Sequence, residues 1–114
     1  MKERMKNKIA LLALLLAAGS VFANETAPVF ESKSCNPQYP KSSLVNEEQG
    51  TVTASFLISA EGKVLDSKLE KSSGFKNLDS AAMKSIGACK FTPGTKDGKA
   101  QQSWTKVAYV WALS

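Results

Sequence analysis

Two runs of alternating side chains, joined by a tight turn, constrain this chain more than any other feature it has. Over residues 51–59, Val52, Ala54, Phe56 and Ile58 fall on one face. Thr51, Thr53, Ser55 and Ser59 fall on the other, with Leu57 the exception. Period-two alternation is the mark of a strand with one buried face. Ala60-Glu61-Gly62-Lys63 supplies a turn with a glycine available for positive φ. Residues 64–71 then return with Asp66, Lys68 and Glu70 on a wet face and Leu65 and Leu69 opposite. An antiparallel hairpin follows, and its apolar face needs a cover.

The cover lies just downstream. Ser72-Ser73-Gly74 breaks the strand, and the period then changes: Leu78, Ala82, Ile86 and Cys89 form one stripe at helical spacing. Asn77 or Asp79 is expected to cap this helix, and Phe91-Thr92-Pro93-Gly94 to end it. Asp97-Gly98 marks another turn, and residues 101–113 form the longest strand candidate. There Thr105, Val107, Tyr109, Trp111 and Leu113 share one side, and Trp104, Lys106, Ala108, Val110 and Ala112 the other. Tyr109 and Trp111 are expected in the core; alternation alone leaves Trp104 undecided. Upstream, Pro40 suits the first turn of a short helix over residues 41–48, with Leu44 and Val45 turned inward and Gly50 as its stop. Residues 24–36 are polar, carry Pro28 and show no periodicity, which predicts an extended lead-in. The order helix, strand, strand, helix, strand packs most simply as an α+β fold: an antiparallel three-stranded sheet with two helices on one face.

The N-terminus speaks to compartment. Lys2, Arg4, Lys6 and Lys8 precede an apolar run from Ile9 to Ala18, and Val21-Phe22-Ala23 offers small residues at a cleavage site. These are the parts of a secretory signal peptide over residues 1–23. The run is shorter than the ~20 residues of a spanning helix, although an uncleaved anchor is the alternative. Of 15 basic and 10 acidic residues, four and one lie in 1–23, leaving eleven and nine. The basic excess thus belongs largely to the leader, and the remaining lysines are scattered, so nucleic acid is not an expected partner. Export to an oxidising compartment permits a disulfide. Cys35 and Cys89 are the only cysteines, and a bond between them is expected; two free thiols or a bridge to another chain are the alternatives.

Catalysis finds little to work with. The chain has no histidine, which removes Ser-His-Asp triads, Cys-His dyads and His-containing zinc sites, and two cysteines cannot build a Cys₄ site. No base with a matching constellation serves Ser72 or Ser73, whose ordinary reading is a strand end before a glycine turn. The glycines are isolated, so no phosphate loop exists. The expectation is a protein that is not an enzyme and needs neither metal nor cofactor.

Seven short motifs in register carry a resemblance: Pro37-x-Tyr39-Pro40, Gly50-x-Val52-x-x-Ser55-Phe56, Glu61-Gly62-Lys63-Val64, Ser72-Ser73-Gly74, Leu78-Asp79-x-Ala81-Ala82, Phe91-x-Pro93 and Asp97-Gly98-Lys99. Together they resemble the TonB C-terminal domain family over residues 37–113, and Cys35 and Cys89 resemble those of its small exported members. The resemblance implies a domain over residues 37–114 that binds a protein partner, in energy-transducing members a segment of an outer-membrane receptor. That segment adds as an extra strand to the last strand of the sheet. The residues that would receive it here are Ser103, Trp104, Thr105, Lys106, Val107, Ala108, Tyr109 and Val110. Transducers of the family keep a membrane anchor and a long proline-rich spacer. Here residues 24–36 reach at most roughly 45 Å. A binding module released into the periplasm is therefore expected, with a minimal inner-membrane-anchored transducer as the alternative. Part of the last strand is expected to exceed its neighbours in length and so present an open edge; cover on both sides by the sheet, the lead-in or a second copy of the chain is the alternative.

Overall fold

The computed structural model describes residues 24–114; the predicted leader, its cleavage site and the anchor alternative lie outside them. The hairpin forms as expected, from β3 (Gly50–Ile58) and β4 (Val64–Lys71). Two short strands precede it, β1 (Glu25–Thr26) and β2 (Val29–Phe30). Helix α1 (Lys41–Val45) leads into β3, and α2 (Lys76–Gly87) follows β4. The chain ends with β5 (Phe91–Thr92), β6 (Gly94–Lys96), β7 (Lys99–Gln101) and β8 (Ser103–Trp111). The main sheet is three-stranded and antiparallel, in the order β4-β3-β8.

The apolar face of β3 and the stripe of α2 make the core. Val52, Ala54, Phe56 and Ile58 pack with Leu78, Ala82, Ile86, Phe91 and Trp111. Removing these side chains from water drives the folding of a domain this small. The hairpin turn is tied to the same core. Gly62 adopts φ 89°, and a Cβ there would sit 2.2 Å from the carbonyl oxygen of Phe91. The Phe91 amide in turn donates to the Gly62 carbonyl at 3.1 Å. Only glycine satisfies both the left-handed backbone and this approach.

Four expectations are corrected. The first helix is a single turn. Glu47, at φ 54°, ends it well before Gly50, which instead opens β3. Its apolar residues face out, with Val45 79% exposed, while Ser43 is fully buried. Hydrogen bonds decide this orientation: Ser43 Oγ donates to Glu48 Oε1 at 2.7 Å, and Asn77 Nδ2 on α2 donates to Ser42 Oγ at 3.0 Å. Secondly, neither Leu65 nor Leu69 is buried; Leu69 faces Ala54 at the sheet edge and stays 42% exposed. The register passes from Leu57↔Asp66 to Ile58↔Val64, so Leu65 is the extra residue of a bulge and lies exposed. Thirdly, neither Asn77 nor Asp79 caps α2, whose N-cap is Phe75 with no side-chain bond. Finally, residues 101–113 are not one strand. β7 pairs with β6 across a two-residue Asp97-Gly98 turn, both residues at positive φ. The chain leaves that ribbon at Gln102 to join β3.

The lead-in has partners that no local pattern announced. β1 pairs with β6 and β2 with β5. Beyond β2, Cys35 is bonded to Cys89, with the Cα atoms 5.4 Å apart.

Candidate functional site

β8 is matched to β3 nine for nine, from Gly50↔Trp111 to Ile58↔Ser103. Excess length therefore does not open its edge. Position does: β8 is an edge strand, and among the described residues its backbone makes no hydrogen bond to any element but β3. The eight residues expected to receive a partner strand, Ser103 to Val110, all lie on this one strand.

Its side chains alternate as the sequence predicted. Ser103, Thr105, Val107 and Tyr109 are half-buried and Trp111 is buried, while Trp104, Lys106, Ala108 and Val110 are exposed. Trp104, at 48% exposure, belongs to the outer face; its spacing of two from Lys106 was the signal that could have placed it. Both ends of the strand are held. At one end Trp111 meets the rings of Tyr39 and Tyr109 edge-on, with centroids 5.0 and 4.8 Å away. The Tyr39 hydroxyl donates to the carbonyl of Glu48, so the Pro-x-Tyr-Pro motif anchors the end of β8. Near the other end Thr105 Oγ1 donates to the Pro28 carbonyl at 3.2 Å. Between these anchors the outward edge runs free.

The opposite edge is built differently. β4 carries two bulges, at Leu65 and at Glu70 (between Thr53↔Lys71 and Ala54↔Leu69). It also bears Asp66, Lys68, Glu70 and Lys71. Bulges and charges are how sheets block further pairing. β8 has no register shift and one charge, Lys106.

Across the outer face, Ser55 lies between Lys68 on β4 and Lys106 on β8. Ser55 Oγ donates to Glu70 Oε2 at 2.6 Å, and Lys68 Nζ is 4.0 Å from the same oxygen. The Ser55 hydrogen bond holds the Glu70 carboxyl below its ordinary range, against some desolvation and with help from Lys68 and Lys106. Ser55, Lys68, Glu70 and Trp104 line a hollow of about 280 Å³. Cross-strand partnership of this kind was hidden from the sequence by the bulge at Glu70.

Ser72 and Ser73 have a structural part. Both hydroxyls donate to Asp79, as does the Ser73 amide at 2.8 Å. Burial pushes the Asp79 carboxyl up, but these three bonds outweigh it and hold the group below its ordinary value. Among the described residues no group of three or more His, Cys, Asp or Glu side chains is placed to hold a metal ion. No helix there is long and apolar enough to cross a membrane.

The geometry defines a class: a small α+β domain with one sheet edge that is regular and, among the described residues, unpaired. The chain belongs to the Gram-negative bacterial TonB protein C-terminal family, whose model matches residues 35–113. A Protein TonB of Neisseria meningitidis serogroup C is 54% identical over 48 residues, covering 42% of this chain and 17% of that protein. Protein tonB2 of Pseudomonas aeruginosa is 32% identical over 71 residues, 62% of this chain and 26% of that one. The matched part is thus a minor share of these relatives' length. Among solved structures, the TonB CTD of Pseudomonas aeruginosa superposes with a TM-score of 0.60 at 18% identity, covering 79% of this chain and 87% of that one. The Helicobacter pylori TonB-CTD gives 0.51 at 28%, covering 75% and 74%. Their α+β architecture is the one described here.

Proposed function

We propose that this chain is a periplasmic protein-binding module of TonB-dependent transport, and that it captures an extended segment of an outer-membrane receptor as a fourth strand on β8. The observation that carries this is the inequality of the two sheet edges: β4 is bulged and charged, β8 regular and nearly uncharged. Strand addition draws its affinity from main-chain hydrogen bonds, which a regular edge can make in sequence. Family membership supports the transport setting. The leader-like residues 1–23 and the Cys35–Cys89 bond, which needs an oxidising compartment, support the periplasm.

Hydrogen exchange tests this reading. An extended peptide from a receptor N-terminus is expected to protect amides within 103–110. Truncating the Lys106 side chain to alanine should weaken binding less than placing proline there, once the proline variant is shown to fold. Protection on β4, or nowhere in the sheet, overturns strand capture on β8.

A further inference from the structure

Resting on that strand-addition reading, we infer that the captured segment carries a carboxylate beside Lys106, with an apolar side chain two residues to either side of it. The argument begins with the row Lys68–Ser55–Lys106 on the outer face of the sheet. Within this row the charges are unevenly satisfied. Glu70 is engaged by Ser55 at 2.6 Å and lies 4.0 Å from Lys68. Lys106 acts on Glu70 only from a distance: it has no carboxylate within 4.0 Å among the described residues, and it is exposed on an edge strand. A strand added to β8 continues the row and sets one of its side chains next to Lys106, at about 5 Å between Cβ atoms. An acidic residue there gives Lys106 the close carboxylate partner that the row itself does not supply. A lysine or arginine there meets a like charge.

The flanking positions follow from the period of two. The outer-face neighbours of Lys106 along β8 are Trp104 and Ala108, with Val110 beyond at 63% exposure. An aliphatic or aromatic side chain beside the Trp104 indole removes apolar area from water on both partners. Beside Ala108 a larger apolar side chain has room to reach Val110. The resulting pattern, apolar–x–acidic–x–apolar, reads the same in both directions, so it holds for parallel and antiparallel addition alike. A second copy of β8 does not meet it, because the only charge on β8 is Lys106 itself.

The test uses the full chain with its disulfide intact and three seven-residue peptides. The first is Thr-Val-Thr-Glu-Thr-Val-Thr with blocked ends; the others carry Gln or Lys in place of Glu. Affinity and amide protection are read by titration of the labelled protein. The glutamate peptide is expected to bind about two- to fivefold more tightly than the glutamine one at low salt, the range of exposed ion pairs. The lysine peptide should bind more weakly still, and the differences should shrink as salt rises. Lys106→Glu should reverse the order. Lys71→Glu, the same charge change on β4, should leave it standing. Equal protection of β8 by all three peptides, or a reversal by Lys71→Glu as large as that by Lys106→Glu, overturns the inference while strand addition survives. If no peptide protects β8, strand addition itself fails, and the inference with it.

Discussion

Asp79 shows how one side chain can set the path of a loop. It stands in the first turn of α2, yet serves the chain before the helix rather than the helix's own amides. Ser72, Ser73 and the Ser73 amide converge on its carboxylate, so the turn out of β4 is closed by three donors on one acceptor. Replacing Asp79 with alanine leaves those donors unpaired beside a buried position and should cost about 1–3 kcal/mol, read as a lower denaturant midpoint. The pH dependence has a definite sign. Because the folded-state pKa is depressed below the ordinary 3.8, the stabilisation is fully present above that value. It is lost as pH falls through the folded pKa. Asp79→Asn should therefore flatten this part of the acid limb of a stability-against-pH curve while lowering stability at neutral pH. An unchanged acid limb would show that Asp79 is not ionised to advantage in the fold.

Strands in one sheet can have very different uses, and the two edges here illustrate why. β3 sits between neighbours and exchanges hydrogen bonds on both sides. In β8, alternate amides point to β3 and away from it, as in any antiparallel pair. Exchange in the unliganded protein should therefore alternate along β8, fast and slow, while β3 is slow throughout. Uniform protection along β8 would mean that its edge is already covered, by a second copy or another segment. Much of this was legible: the alternation in β3 and β8 and the α2 stripe stand in the side chains. The two β4 bulges were not, because a bulge changes which residues pair without changing the apolar–polar pattern enough to be seen. Leu65 looks like a core position until the register is known.

At the scale of the whole molecule, the disulfide and the lead-in work together. β1 and β2 are two residues each, too short to hold by pairing alone, and the Cys35–Cys89 bond fastens their end of the chain to the turn after α2. A loop of this size is stabilised by about 4 kcal/mol when the unfolded chain is so constrained. Reduction, or Cys35→Ser with Cys89→Ser, should lower the melting temperature markedly yet leave the β4-β3-β8 sheet folded, with exchange rising first in β1 and β2. Loss of all structure on reduction would show the core of β3 and α2 to be insufficient by itself. What the sequence determined unaided was local: the hairpin, the helix and its buried stripe, and the side of β8 on which Lys106 lies. Each depends on which face of one element is buried, and burial is written in side-chain polarity at a period of 2 or 3.6. Only the tertiary structure decided that β3 is central and β8 an edge strand, that the lead-in pairs with β5 and β6, and that Ser43 turns inward in place of Val45. Those outcomes rest on backbone hydrogen bonds and on contacts between distant segments. Every residue offers the same N–H and C=O for such bonds, so the order of strands leaves almost no mark on the order of side chains.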